Sequence, residues 1–230
     1  MESTQTGPAP NYRRIALQSG LAAALCLGLP AGLLFWLILA GQAGYYAFVD
    51  PSITYLQDHG LVSVFVVVFG SAPWSYLLAR LSSYRAWWWL APASALGIIA
   101  AWFSPLSNVD GILFDFNPDL PIHLNYAASM AGLIGSVTLF VGLAYGLVLR
   151  SAKAALGLGL TTRLVSVLTV LLTIFVFDRV GIRVHLGATD FAMSKVTAGL
   201  MLTSAVAGGS VLGVGFNWFA VEVRARPLKD

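Results

Sequence analysis

The stretch at residues 124–149, LNYAASMAGLIGSVTLFVGLAYGLVL, is apolar along almost its whole length and contains no charged residue. A helix of about 20 predominantly apolar residues is enough to cross the hydrocarbon core of a bilayer. A run of this length therefore predicts a transmembrane helix rather than a buried helix of a soluble protein. Similar runs recur on both sides of it, so this stretch sets the fold class of the whole chain.

The composition excludes a soluble globular domain. Hydrophobic residues make up 58% of the 230 residues and charged residues only 10%, whereas about a quarter of the residues in soluble domains are charged. The net charge of +3 is small and the basic residues form no patch, so we expect no nucleic-acid partner. Cys26 is the only cysteine, which excludes an intrachain disulfide and a cysteine-based metal cluster.

The hydropathy pattern predicts an all-α, polytopic integral membrane protein, a bundle of six transmembrane helices. The predicted spans are residues 15–40, 61–81, 88–103, 124–149, 164–177 and 191–221. Residues 1–11 and 224–230 are polar and are predicted to be tails, the first of them disordered. They flank a membrane domain at 12–223, which contains an outer loop at 104–125 and a basic linker at 150–163.

The basic residues predict the orientation. If the N-terminus lies in the cytoplasm, alternate connections place ten of the 13 Lys and Arg residues inside, namely Arg13, Arg14, Arg80, Arg85, Arg150, Lys153, Arg163, Arg224, Arg226 and Lys229. Such an excess is typical of cytoplasmic loops. We therefore expect both termini inside (N-in/C-in) and the loop at 104–125 outside. The membrane would be a plasma membrane, or the bacterial inner membrane in a prokaryote.

Small residues recur at intervals of four in three of the predicted spans. Residues four apart share one helix face, and small side chains let helix backbones approach closely in lipid. The predicted packing residues in spans one, four and six are Gly28, Gly32, Gly132, Ser136, Ala205, Gly209, Gly213 and Asn217. We expect these spans to meet at the centre of the bundle. The alternative is that their small residues line a substrate path.

The outer loop holds the residues that we predict to face a substrate or a partner, Asp110, Phe114, Asp115, Phe116, Asp119 and His123. Pro118 and Pro121 exclude a regular helix over the last of these positions. A calcium site built from the three carboxylates is an alternative, but zinc would need more His or Cys ligands, and we predict no metal. The aromatic residues among the acids favour a loop that caps the bundle or docks a partner.

Charged residues are nearly absent from the interiors of the predicted spans. Ion-coupled transporters are expected to hold a carboxylate inside the membrane, and the predicted spans show none near mid-depth. This favours a carrier for a neutral or lipid-like molecule, or a structural subunit. Asp178, Arg179 and Lys195 lie near the predicted outer ends of spans five and six, where we expect an ion-pair cluster.

The chain shows no motif for an enzyme or a cofactor, such as Gly-x-Ser-x-Gly, His-Glu-x-x-His or a phosphate-binding loop. We predict a non-enzymatic protein without cofactors. Residues 162–221 contain a basic residue, an apolar span, Ser194-Lys195 and a small-residue helix that closes on Phe216-Asn217-Trp218-Phe219. This order resembles the last two spans of GtrA-like proteins, a family implicated in moving polyprenyl-linked sugars. Trp218 stands where that family often has arginine.

These observations lead to one leading function and one alternative. We predict a carrier for a hydrophobic or lipid-linked substrate, with membrane lipids as its partners. The alternative is an accessory or scaffold subunit of a larger membrane complex. Such a subunit would contact its neighbours through the small-residue faces and the outer loops.

Overall fold

The structure, a computed structural model, describes residues 10–33, 69–82, 84, 87–107, 122–180 and 191–225. The helices in these ranges are α1 (Tyr12–Leu33), α2 (69–81), α3 (Trp87–Trp102), α4 (Ile122–Val148), α5 (Ala152–Arg179) and α6 (Phe191–Ala225). A short 3₁₀ turn, Pro105–Ser107, follows α3. These ranges contain no strand, which confirms the all-α prediction.

Four helices in the described ranges are long and apolar enough to cross a membrane, through Tyr12–Leu33, Ala127–Val148, Ala152–Arg179 and Val196–Val223. The apolar part of α3, Trp88–Trp102, is shorter. Large apolar side chains are exposed along the outside of these helices, as shown on α1 by Leu17, Leu21, Leu25, Leu29 and Leu33. A soluble helix would carry polar groups on its outer face, so these surfaces fit a protein embedded in lipid.

The predicted linker at 150–163 is wrong, because the chain is helical again from Ala152. In the turn after α4, Arg150 adopts a φ of 53° and its N–H donates to the carbonyl of Leu147 at 2.8 Å. The Ser151 hydroxyl then accepts a hydrogen bond from the N–H of Ala154 at 3.2 Å, as an N-cap residue does. Span five therefore begins well before residue 164.

Helices α4 and α5 form an antiparallel hairpin whose backbones touch. A Cβ added at Gly142 would lie 2.7 Å from the carbonyl oxygen of Leu158, and one added at Gly146 would overlap the backbone of Ala155. A Cβ added at Gly159 would lie 2.9 Å from the side-chain Cγ of Leu143 in α4. The glycines at this end of the hairpin allow close approach, which is how helices associate in lipid.

Helices α1 and α6 form the second close contact. Gly28 faces Ala205 at 2.7 Å, measured from the position of an added Cβ, and Gly209 lies against Ala23. The Ser210 hydroxyl donates a hydrogen bond to the carbonyl of Ala16 at 2.9 Å across the same seam. The small-residue stripes of predicted spans one and six thus lie face to face.

Predicted spans one, four and six do not meet as a three-helix centre. Helix α4 packs mainly against α3 and α5, whereas α1 packs against α6, and α4 touches α6 in only a few places. The reason is that Gly142 and Gly146 turn toward α5. Helices α1, α4 and α6 instead share the wall of a partly open cavity.

Two clusters of buried side chains form the core. One joins residues from all six helices near the α4–α5 turn, and its largest fully buried members are Trp74, Leu78, Leu90, Tyr145, Leu158 and Phe216. The other joins α4, α5 and α6 toward the opposite end of the bundle, through residues such as Met130, Val170 and Leu200. The cavity lies between them.

We expect Gly146→Val to disrupt the α4–α5 hairpin, because its Cβ would overlap the Ala155 backbone. Forcing extra atoms into such a contact should lower the free energy of unfolding by about 3 kcal/mol. The neighbouring Leu147 is 66% exposed, so Leu147→Val should stay within about 0.5 kcal/mol of the wild type. Unfolding in detergent micelles measures both changes, and equal stability of the two variants would contradict the contact.

Candidate functional site

A cavity of about 160 Å³ lies in the centre of the bundle. Every helix contributes to its wall, through residues that include Gly28 of α1, Trp74 of α2, Trp102 of α3, Thr138 of α4, Thr162 of α5 and Ser204 of α6. The rest of the lining is largely aliphatic, with Ile98, Leu133 and Val141 among its members. No single segment of the sequence forms this site.

The apolar lining decides what the cavity can hold. An engineered cavity of about 150 Å³ lined by apolar side chains stays dry and binds benzene. The present cavity is of similar volume, so it suits a small ring or a short length of hydrocarbon chain better than water or an ion.

A fully buried hydrogen-bond network holds one side of the site. The Tyr145 hydroxyl contacts the Ser75 hydroxyl at 3.0 Å and donates to the Ser94 hydroxyl at 3.2 Å. The Tyr145 ring packs edge-on against Phe216, with centroids 5.9 Å apart. The hydrogen bonds link α2, α3 and α4, and the ring contact adds α6. Ser94 and Trp74, which precedes Ser75, lie in the cavity wall.

A local change in helix geometry shapes the α1 wall. The segment Ala24–Gly28 is π-helical, and the N–H of Leu29 donates to the carbonyl of Ala24. Pro30 has no N–H to donate to the Cys26 carbonyl, which would be its partner in a regular α-helix, and this accounts for the local widening. The last residues of the π segment, Leu27 and Gly28, line the cavity. Such segments occur often at functional sites.

One hydroxyl in the wall is unpaired. Thr138 donates to the carbonyl of Ile134 at 2.9 Å, and the Thr162 hydroxyl donates to the carbonyl of Leu158. Ser204 is only 3% exposed, and its Oγ has no hydrogen-bond partner in the described part of the chain. A buried unpaired hydroxyl is unfavourable, so Ser204 offers a hydrogen bond to a molecule in the cavity.

Most of the predicted outer-loop residues fall outside the described part of the chain. These are Asp110, Phe114, Asp115, Phe116 and Asp119, while His123 lies in the first turn of α4 with its side chain outside the described part. Their role as a substrate or partner surface stays a prediction. The loop is shorter than 104–125, because α4 begins at Ile122.

The predicted ion-pair cluster is described only in part. Arg179 lies over the ring of Phe175, with its guanidinium carbon 5.0 Å from the ring centroid. The side chain of Lys195 lies outside the described part, and Asp178 occupies the last turn of α5 beside Arg179. The described residues show an ion pair at the other end of the bundle, between Lys153 and Glu222 at 3.0 Å.

The predicted packing residues fall into two groups. Gly28, Ala205 and Gly209 lie in the α1–α6 contact and also line the cavity, so the same residues belong to the helix contact and to the cavity wall. Gly32 faces Ala198, and Gly213 faces Ser19, in that same contact. Gly132 is half-buried, while Ser136 and Asn217 are buried with an unpaired Oγ and Oδ1, respectively.

Sequence reasoning missed the cavity residues Trp74, Ser94 and Ser204. A weak signal was present, because Ser204 and Gly208 are four apart and adjoin the stripe of Ala205 and Gly209. That spacing widens the small-residue face of α6 beyond what one helix contact needs. The aromatic and α3 residues had no comparable signal.

The chain was compared with protein-family models, curated proteins and solved structures, and it matches none of them. The resemblance to the last two spans of GtrA-like proteins therefore has no family match to support it. Function must be inferred from the geometry of the cavity and from the charges around the bundle.

We expect Ser204→Ala to stabilise the delipidated protein by about 1 kcal/mol, because it removes a buried hydroxyl that has no partner. The neighbouring Thr203 contacts the Thr173 hydroxyl at 3.2 Å across the α5–α6 interface. Thr203→Val should therefore destabilise the protein, by about 0.6 kcal/mol. Unfolding measured in lipid-free detergent compares the two. A loss of stability in Ser204→Ala would show that its hydroxyl is already bonded.

Proposed function

We propose that this protein is a non-enzymatic membrane carrier of six spans that binds an apolar or lipid-linked molecule in its central cavity. The cavity is the observation that supports this function, because its wall is drawn from all six helices and is almost entirely apolar. Pockets between the helices of a bundle are common ligand sites.

The energetic cost of the cavity supports a bound ligand. Space of about 160 Å³ that no side chain fills leaves the wall residues without packing partners on one side, which costs them dispersion contacts. A ligand that fills the space would restore the missing contacts. Small residues at Gly28, Ala31 and Gly208 keep the space open.

Ser204 narrows the class of ligand. Its hydroxyl can both donate and accept a hydrogen bond, and it is the unpaired polar group of the cavity wall. A neutral oxygen, such as that of an ester or an alcohol, would satisfy it. The part of the ligand that we propose to lie in the cavity is therefore a hydrocarbon chain or ring with a neutral polar group.

The distribution of charge supports both the orientation and an uncoupled carrier. Arg13 and Arg14 at the start of α1 lie at the same end of the bundle as Lys153, because Gly213 of α6 contacts Ser19 and Glu222 of α6 pairs with Lys153. This basic end is the one we place in the cytoplasm. The acids in the described ranges, Asp178 and Glu222, lie near helix ends. The described helices thus offer no mid-depth carboxylate for ion coupling.

Labelling of single cysteines should place the two ends of α5 on opposite sides of the membrane. In a Cys26→Ala background, Ala152→Cys and Val180→Cys introduce thiols at two exposed positions. Residue 152 is the first residue of α5, and residue 180 follows its last residue. An impermeant maleimide should react with residue 152 only from the cytoplasmic side and with residue 180 only from the outside. Labelling from one side would contradict the span, and reversed labelling would contradict the orientation.

Filling the cavity should displace its ligand. Val137 lines the cavity, so Val137→Phe should lower the occupancy of a co-purifying lipid about fivefold or more, since a ring would occupy part of the space. Leu21, on the outside of α1, is 61% exposed, and Leu21→Phe is the matched control. Native mass spectrometry of the purified full chain measures the retained lipid.

Two results would count against the carrier. Equal lipid occupancy in both variants would show that the cavity does not hold the ligand. A stoichiometric second polypeptide, together with an empty cavity, would favour the accessory subunit. An apolar molecule retained by the wild type and by Leu21→Phe, but lost in Val137→Phe, would support the carrier.

A further inference from the structure

Arg163 lies inside a membrane helix rather than in a loop. It is 11 residues after Ala152 in a helix of 28 residues, so its Cα is about 16 Å along a helix about 42 Å long. The hydrocarbon core is about 30 Å thick, which places this residue well inside it. Exposed leucines at 156, 160, 164 and 168 lie on both sides of it along α5 and mark a lipid-facing surface.

The Arg163 side chain stays near mid-depth. A Cβ added at Gly135, in the middle of α4, would lie 3.6 Å from its Cγ and 3.9 Å from its Nε. Val167 approaches the same glycine at 2.8 Å. The side chain therefore rests in the groove between α4 and α5 at the level of Gly135, instead of extending to the membrane surface as arginine does near helix ends.

This charge has no counter-ion in the described part of the chain. Glu222 pairs with Lys153, and Asp178 is 15 residues beyond Arg163, about 22 Å along α5. The described helices of a second copy of the chain would not supply a counter-ion either, because their acids lie near the helix ends. Arginine in hydrocarbon is costly and is normally paired. A bilayer supplies one abundant anion, the phosphate of its lipids.

We propose that Arg163 and the α4–α5 groove form a site for the phosphate group of a membrane lipid. The guanidinium group matches phosphate through two parallel hydrogen bonds, and Gly135 leaves room for it beside α4. The acyl chains of the lipid would lie over the exposed leucines of α5. This site is separate from the central cavity, which Arg163 does not line.

The site extends the proposed function by naming the class of substrate, and this step rests on the proposal that the protein is a carrier. A lipid phosphate at mid-depth occupies the position that a headgroup passes on its way across the membrane. The site therefore makes the carried molecule a phosphate-bearing lipid. Its binding can be measured without assuming that transport occurs.

The test is lipid binding by the full chain, purified in an uncharged detergent and followed by native mass spectrometry. Phosphatidylglycerol is compared with a diglucosyl diacylglycerol that has the same acyl chains and no phosphate. The wild type should bind the phospholipid about tenfold more tightly or better, as a charge-assisted contact implies. This comparison in the unaltered protein needs no variant to fold.

The variants assign that preference to Arg163. Arg163→Gln should remove it, and Arg163→Lys should keep part of it, because lysine retains the charge but not the paired donors. Arg179→Gln removes the same charge from the end of the same helix and should bind like the wild type. The unfolding midpoint of each variant serves as the folding control.

Four results would overturn the site. Equal binding of the two lipids by the wild type excludes a phosphate site, and an unchanged preference in Arg163→Gln excludes this residue. Inorganic phosphate that competes as tightly as the phospholipid would identify a free anion as the ligand. A polypeptide bound to the wild type and lost in Arg163→Gln would identify a partner helix instead. If the site fails while Val137→Phe still empties the cavity, the carrier proposal stands without it.

Discussion

The structure depends on helix backbones that touch each other in a solvent as apolar as their own side chains. Lipid gives little hydrophobic drive for association, so contacts between helices must come from close packing and a few hydrogen bonds. Four helix pairs among the described residues meet this condition: α1 with α6, α4 with α5, α3 with α4 through Gly97, and α1 with α2 through Gly70. At each of them an added Cβ would meet the backbone or the Cβ of the opposite helix. These contacts fix the positions of the helices relative to one another.

The cavity follows from how these pairs are joined. Helix α5 packs closely against both α4 and α6, and it keeps those two helices from closing on each other along most of their length. Gly208 of α6 faces Ser166 of α5 at 3.0 Å and the Thr138 methyl of α4 at 3.5 Å, measured from an added Cβ. Trp74 and Ser94 bound the space beyond this point, and the hydrogen bonds of the Tyr145 hydroxyl to Ser75 and Ser94 hold this side of the wall in place. A cavity bounded by close helix contacts and by this hydrogen-bond network cannot collapse easily, because its wall is fixed by contacts that do not involve a ligand.

The helices could be read from the sequence, but their junctions and the site could not. The bounds of α3 and α4 lie within two residues of the predicted spans, because long apolar runs are strong local signals. The linker at 150–163 was mispredicted because Lys153, Gly157 and Gly159 have the composition of a loop. In the structure these two glycines face Phe219 and Leu143, and sequence alone does not tell a glycine in a turn from one pressed against a neighbour. The cavity draws its wall from six helices, so no local pattern contains it.

The incorrect linker prediction also hid the position of Arg163 inside a membrane helix. While Arg163 is counted as a linker residue, it supports the orientation and the spans contain no charge at mid-depth. When Arg163 is assigned to α5, one basic residue fewer supports the orientation. Arg13, Arg14, Arg150 and Lys153 still make one end of the bundle basic. The membrane interior then gains a cation on one side of α5, while Thr162, the preceding residue, lines the apolar cavity on the other. Successive residues on a helix point about 100° apart, so this one helix separates an apolar site from a charged one. A phospholipid likewise joins an apolar chain to a charged phosphate. It is therefore the class of molecule that matches both sides of α5.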